Sequence, residues 1–180
     1  MEIKGKAIVL TNGVYNTKSA KTAHGLVRGS SRFDILGIID NKFYGNDAGK
    51  LLDGKHRNIP IYKSLSSFLN LNLNIDYCII GVASAGGVLP EEMRSDIILS
   101  LKNNISIVNG LHSFLEDDLE ISEIAKINNT KLYDIRKPRE RDLLSFWSGK
   151  INQVKCPKIV VMGTDCGLGK RTTAKLIVEN

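Results

Sequence analysis

Cysteine is scarce and scattered. Cys78, Cys156 and Cys166 are odd in number and lack any CxxC spacing, which excludes a paired disulfide framework and a zinc knuckle. A reducing, cytoplasmic setting is the expectation. Long apolar runs are also missing: the longest are strand-sized, against the roughly 18 residues that a membrane span needs. The opening Met1-Glu2-Ile3-Lys4-Gly5-Lys6 lacks the apolar core of a signal peptide. No membrane association is expected. Histidine is limited to His24, His56 and His112, too far apart for ligand spacing, so no metal site is expected. Aromatic side chains make up only 6% of the chain and do not interleave with a basic stripe. The net charge of +6 is divided: residues 151–180 hold five cations (Lys155, Lys158, Lys170, Arg171, Lys175) against two anions (Asp165, Glu179), leaving +3 for the first 150 residues. Such a diffuse excess argues against a nucleic-acid partner and leaves small anionic ligands open.

What is present is enough apolar residue to bury a core, 42% of 180 residues, for one domain or one domain plus part of a second. Strand-length apolar runs recur at Ala7–Leu10, Ile35–Ile39, Tyr77–Val82, Ile105–Val108 and Ile159–Met162. They are continuous rather than alternating, the pattern of strands buried on both faces of a parallel sheet. Amphipathic helical stretches lie between them. Pro90 to Lys102 opens on proline and Glu91-Glu92 and carries Met93, Ile97, Ile98 and Leu101 on one side. Asp118 to Asn128 carries Leu119, Ile121, Ile124, Ala125 and Ile127 and stops at Asn128-Asn129. This alternation predicts an α/β fold, a Rossmann-like doubly wound parallel sheet. The charged, proline-bearing Arg136–Asp142 stretch, followed by Ser148-Gly149-Lys150 and Cys156-Pro157, marks a seam. We expect a Rossmann-like domain over 1–150 and the first strand, loop and helix of a truncated P-loop NTPase-like domain over 151–180.

That second segment carries the sharpest chemical signal. An apolar run, Lys158–Met162, is followed by Gly163-Thr164-Asp165-Cys166-Gly167-Leu168-Gly169-Lys170-Arg171-Thr172-Thr173 and then by helix-forming Ala174–Val178. Strand, glycine-rich turn, Gly-Lys and helix are the parts of a phosphate-binding loop. Small residues let backbone N–H groups face phosphate oxygens, the helix N-terminus adds partial positive charge, and Lys170 adds a full one. The spacing is unusual: five residues separate Gly163 from Gly169-Lys170, and Arg171 stands where a hydroxyl normally follows the lysine. One position on a helix turns a side chain by about 100°. Thr172 and Thr173 are thus offset from the usual Mg²⁺ position, and Arg171 supplies a second cation for phosphate. Cys166, near the helix N-terminus, would have its thiol pKa lowered. Only ten residues follow Lys170, so this chain is expected to hold a piece of that domain.

In the first 150 residues no GxGxxG follows the first strand. Asp40 nonetheless ends the Ile38-Ile39 strand where a dinucleotide fold places its ribose-binding carboxylate; a turn-capping role is the simpler reading. Polar residues gather at expected strand ends, where open α/β sheets bind ligands: Ser84-Ala85-Gly86-Gly87 and Asn109-Gly110-Leu111-His112. His112 is the foremost candidate for a catalytic base, and His24 a second one.

Several segments together resemble one family: Ala20–Gly29 (AKTAHGLVRG), Gly81–Pro90 (GVASAGGVLP), Val108–Leu115 (VNGLHSFL), Asp134–Pro138 (DIRKP) and Gly163–Thr173 (GTDCGLGKRTT). The family was long catalogued as a domain of unknown function, and its members are described as D-glutamate N-acetyltransferases. The Lys-Arg-Thr-Thr ending of the loop is similar to that family's own, and its Gly-Thr-Asp start resembles the loop of dethiobiotin synthetase, an ATP-using carboxylating ligase. The resemblance implies a Rossmann-like domain followed by a P-loop domain, and acetyl transfer from acetyl-CoA to the amine of D-glutamate or a related amino acid. On that reading the loop residues Gly163, Thr164, Asp165, Cys166, Gly167, Gly169, Lys170, Arg171, Thr172 and Thr173 hold the phosphates of CoA. Arg28, Arg57 and Arg136, with Ser84 and Asn109, are the candidates to hold the substrate. Two alternatives stay open: an ATP- and Mg²⁺-dependent P-loop ligase or kinase-like enzyme, and a non-enzymatic Rossmann-like assembly module. A homo-oligomer is also left open.

Overall fold

The structure, a computed structural model, describes residues 3–164 and 168–180. It separates into two compact units, one ending at Pro138 and the other beginning at Arg139, within the charged stretch that carries the proline.

The first unit is built on six strands: β1 (Gly5–Leu10), β2 (Phe33–Ile39), β3 (Ile61–Tyr62), β4 (Tyr77–Ile80), β5 (Ser106–Asn109) and β6 (Leu132–Asp134). Every pairing is parallel and the spatial order is β3-β2-β1-β4-β5-β6. This is the doubly wound dinucleotide-fold order, with its topological switch between β1 and β4. Ala7, Ile8, Val9 and Leu10 of the central strand are all fully buried, which is why the run is continuous rather than alternating. Ile8 and Leu10 enter one core, Ala7 and Val9 the other.

Helices α1 (Lys21–Arg28) and α2 (Ala48–Asp53) cover one face, contributing Ala23, Val27 and Ala48. Helices α3 (Leu65–Leu69), α4 (Arg94–Lys102) and α5 (Leu119–Ile127) cover the other through Leu65, Phe68, Ile97, Leu101, Ile121 and Ala125. A short 3-10 turn, Glu91–Met93, leads into α4 after Pro90. Asp118 caps α5 by accepting from the Ile121 amide at 3.1 Å, and Arg94 of α4 grips the same carboxylate. Leu119 and Ile127, expected on the apolar side of α5, are exposed, because the buried stripe narrows to Ile121 and Ala125. The short elements β3, β6, α2 and α3 were beyond the periodicity of the sequence, since two to six residues are too few to display one.

In the second unit, a 3-10 turn at Lys150–Gln153 precedes a run to Gly163 with neither helix nor strand, and α6 (Lys170–Glu179) follows. A strand exists through its ladder, and among the described residues nothing pairs with Lys158–Met162. Ile159, Val160 and Met162 are accordingly exposed. Among the described residues no helix is long and apolar enough to cross a membrane.

Candidate functional site

In a parallel sheet the loops at the carboxyl ends of the strands carry the ligand, and the crevice opens at the switch point. Here the crevice is rearranged by two features. Asp40 at the end of β2 is completely buried and accepts five hydrogen bonds. Its Oδ2 takes Thr11 Oγ1 at 2.8 Å and the amides of Gly13 and Tyr15 at 2.9 and 3.0 Å. Its Oδ1 takes the amides of Lys42 and Phe43 at 3.0 and 3.1 Å. The carboxylate thus holds the β1–α1 turn together and has no capacity left for a ribose. The chain also covers the N-terminus of α1, where a dinucleotide fold places its pyrophosphate. The Ala23 amide donates to the Gly81 carbonyl at 2.9 Å, and Ala83 N donates to the Ser19 carbonyl at 2.7 Å. Gly81 is required for this approach: a Cβ there would lie 2.4 Å from Val9 Cγ1 and 2.9 Å from the Leu10 carbonyl oxygen.

The loops after β4 and β5 are clasped chiefly by one carbonyl, with the Leu89 amide also donating to Ser113 Oγ at 3.1 Å. The Gly87 carbonyl accepts from His112 N at 2.9 Å, Ser113 N at 3.1 Å and Ser113 Oγ at 3.3 Å. Gly87 sits at φ +69°, and the His112 imidazole lies against it so closely that a Cβ would come within 2.2 Å of Cδ2. His112 is exposed. Ser84 Oγ donates to the Val88 carbonyl, closing the same loop. Asn109 is fully buried and its amide is engaged within the protein: Nδ2 donates to the Ser113 carbonyl at 2.7 Å and Asp134 Oδ1 at 2.6 Å, and Oδ1 accepts from Leu111 N at 2.9 Å. Arg136 is drawn to the same edge, its Nε donating to the Gly110 carbonyl at 2.6 Å.

The remaining expected residues do not join this group. His24, in the first half of α1, hydrogen-bonds the Tyr15 carbonyl through Nε2 at 2.6 Å, and since a carbonyl only accepts, that nitrogen carries the proton. Tyr15 is buried, its hydroxyl donating to the Ala48 carbonyl at 2.7 Å, and burial pushes its phenol up. Arg28 closes α1; because that helix runs antiparallel to the strands it connects, Arg28 lies toward their amino ends, away from the carboxyl edge of the sheet. Arg57 forms a bidentate pair with Asp53 at 2.6 and 2.8 Å beside α2. Cys78 is buried in the core, and burial pushes its thiol up to about 12.

A cleft of about 510 Å³ opens at the carboxyl ends of β1, β2 and β3, lined by Asn12, Ile39, Asn41, Lys63, Ser64 and Asp96. Asn12 has φ +43°, a left-handed conformation that asparagine tolerates better than most residues. Its Nδ2 donates to the Glu92 carbonyl at 3.2 Å and to Asp96 Oδ2 at 3.3 Å. The sequence held a signal for Asn12, the Asn-Gly pair after an apolar strand, but none for Asp96, which reads as one polar residue on an amphipathic helix.

In the second unit, Gly163 and Lys170 come together across the loop: a Cβ on Gly163 would meet the Lys170 side chain at 3.2 Å. Gly169, at φ +79°, is the N-cap of α6, and Arg171, Thr172 and Thr173 lie exposed on its first turn. Thr164 is also exposed, while Asp165, Cys166 and Gly167 lie outside the described residues.

Comparison with known proteins fits both units. Residues 41–138 match a domain of unknown function described as the Rossmann-like domain DUF1611_N, and residues 145–180 match its P-loop partner, DUF1611_C. A curated relative named D-glutamate N-acetyltransferase, from a Pseudoalteromonas species, is 34% identical over 96 residues, covering 53% of this chain and 28% of the relative. Another of the same name, from Tritonibacter scottomollicae, is 29% identical over the same extent. A crystal structure of a DUF1611 protein from Anabaena variabilis superposes with a TM-score of 0.80 at 26% identity, covering 94% of this chain and 47% of that one. The chain therefore spans about half the length of that solved relative, and its match to the curated ones spans less than a third of theirs.

Proposed function

The chain belongs to the DUF1611 family, and from that premise we propose that it serves N-acyl transfer, moving acetyl from acetyl-CoA to the amine of D-glutamate or a related amino acid. The observation that carries this reading is its similarity to two curated relatives that bear that name.

The chemistry requires three things. The substrate ammonium must lose a proton so that its nitrogen can attack the thioester carbonyl. The oxyanion that forms must be met by donors, and the CoA thiolate must leave and be protonated. His112 is the proposed base, an exposed imidazole whose backbone is anchored by Gly87. Arg136 and Ser84 are proposed to meet the substrate carboxylates and His24 to support the edge. Lys170 and Arg171, with the loop around Gly163, are proposed to hold CoA phosphates by charge alone. A metal-free role suits the offset of Thr172 from the usual Mg²⁺ position.

Calorimetric titration tests the reading. Saturable heat with acetyl-CoA, unchanged by removing Mg²⁺ and lost in Lys170→Ala, is the expected result. A preference for ATP that requires Mg²⁺ would overturn it in favour of a ligase.

A further inference from the structure

The buried and half-buried carboxylates of the first unit are, with one exception among the described residues, well supplied with donors. Asp40 accepts five hydrogen bonds. Asp47 accepts three backbone amides, from Lys50, Arg57 and Ile59. Asp134 accepts from the Asn109 amide and from the backbone of Leu115 and Glu116. Asp118 has the Arg94 guanidinium. Asp96 is the exception. It is half-buried, and among the described residues its one hydrogen-bond donor is the Asn12 amide, at a long 3.3 Å. No cation is paired with it among those residues. Burial pushes its carboxyl above the ordinary range, against the weaker opposing effect of Asn12.

The partner of that carboxylate is under-satisfied as well. Asn12 Oδ1 is buried and accepts nothing. Reversing the amide would not help, because the Glu92 carbonyl can only accept and therefore requires Nδ2 on its side. The cleft thus presents one carboxylate short of donors, Asp96, and the residue that contacts it, Asn12, holds a second unmet acceptor that is buried. An orphaned buried acceptor is destabilising, and a carboxylate partly withdrawn from water without a counter-charge is more so. Lys63 lines the same cleft and supplies a positive charge, with the Ser64 hydroxyl and the Asn41 amide beside it. A ligand fitting this arrangement offers N–H donors and positive charge to Asp96 and a negative group to Lys63.

We infer that the cleft beside Asp96 binds a small zwitterion, with its primary ammonium on the Asp96 carboxylate and its own carboxylate toward Lys63. The volume of about 510 Å³ lies within the range of small-molecule sites and admits an amino acid of glutamate size. The inference does not rest on acyl transfer, since it assigns a binding group and not a reaction.

The test is calorimetry on the whole chain without acetyl-CoA, using D-glutamate, L-glutamate and glutarate, the last having the carboxylates and no amine. Saturable binding of at least one glutamate isomer, with glutarate at least tenfold weaker, is the expected result. Asp96→Asn should weaken glutamate at least tenfold and leave glutarate unchanged. That variant should melt at or above the wild-type temperature, because it removes a poorly compensated charge from a partly buried place. A merely structural Asp96 would give the reverse, a lower melting temperature with binding unaltered. Equal binding of glutarate and glutamate, wild-type affinity in Asp96→Asn, or silence from both isomers would each overturn the inference. The acetyl-CoA titration is independent of all three outcomes, so the two proposals fail separately.

Discussion

Replacing Asp40 by asparagine changes one atom and removes a buried acceptor set. The carboxylate has two donors on Oδ1 (the Lys42 and Phe43 amides) and three on Oδ2 (Thr11 Oγ1 and the Gly13 and Tyr15 amides). Whichever way an asparagine amide is turned, its NH₂ faces at least two groups that also donate. The smaller loss is on the Oδ1 side: two hydrogen bonds to a charged acceptor, each about 1.5–3 kcal/mol, with two amide hydrogens opposed in their place. Part is recovered by relaxation, giving a net cost of about 3–5 kcal/mol. For a chain of this length, each kcal/mol lowers the melting temperature by about 2–4 °C, so Asp40→Asn should melt roughly 6–20 °C below the wild type. Thermal melts followed by circular dichroism check this directly. A ribose-binding Asp40 predicts the opposite pattern, weakened nucleotide binding with little thermal change. A shift smaller than about 2 °C would refute the reasoning, because it would mean the five contacts do not hold the turn.

Two other perturbations follow from the geometry. Gly87→Ala puts a Cβ 2.2 Å from His112 Cδ2 at φ +69°, where a non-glycine residue costs about 1–2 kcal/mol before any clash. The single variant should therefore melt below wild type, and Gly87→Ala/His112→Ala should recover part of the loss; scanning calorimetry of both checks the order. The Arg94 hydrogen bond lowers the Asp118 carboxyl to about 2, below its unfolded value. Its contribution is thus fully present above about pH 4 and lost as pH falls through about 2. Melting curves between pH 5 and 2 should show a shallower fall for Arg94→Met than for wild type. A residual slope is expected from Asp53, whose carboxyl Arg57 also lowers to about 2.

The layered architecture was legible in the chain because the physical cause of each long element is local. Ala7–Leu10 is buried on both faces, and Met93, Ile97 and Leu101 recur at helical spacing, so continuous and periodic runs announce themselves. Two-residue β3 and three-residue β6 cannot do so; they are strands because Ile38–Ile39 and Ile107–Asn109 offer free edges to pair with. The carboxyl edge of the sheet was legible in part. Ser84 and His112 stand after strands, as expected, while Arg136 reaches the same edge behind β6, a strand too short to read, and the buried engagement of Asn109 and the distance of Arg28 from that edge depend on contacts between residues far apart in sequence. Asn12 and Asp96 are separated by 84 positions, and neither residue type alone distinguishes a deprived acceptor from a solvated one. Asp40 was legible as a turn residue, though not the number of groups it gathers.

The single carbonyl of Gly87 gives the two loops it joins a common fate. Because the backbone of residues 112 and 113 donates to the Gly87 carbonyl and Leu89 N donates back to Ser113 Oγ, neither loop can lift from the sheet edge without breaking hydrogen bonds that also hold the other. Their fluctuations are therefore correlated, and the entropy of holding Ser84 and His112 in mutual register is surrendered when the chain folds rather than when a ligand arrives. A molecule that touches only one of the loops meets a surface whose stiffness is set by both.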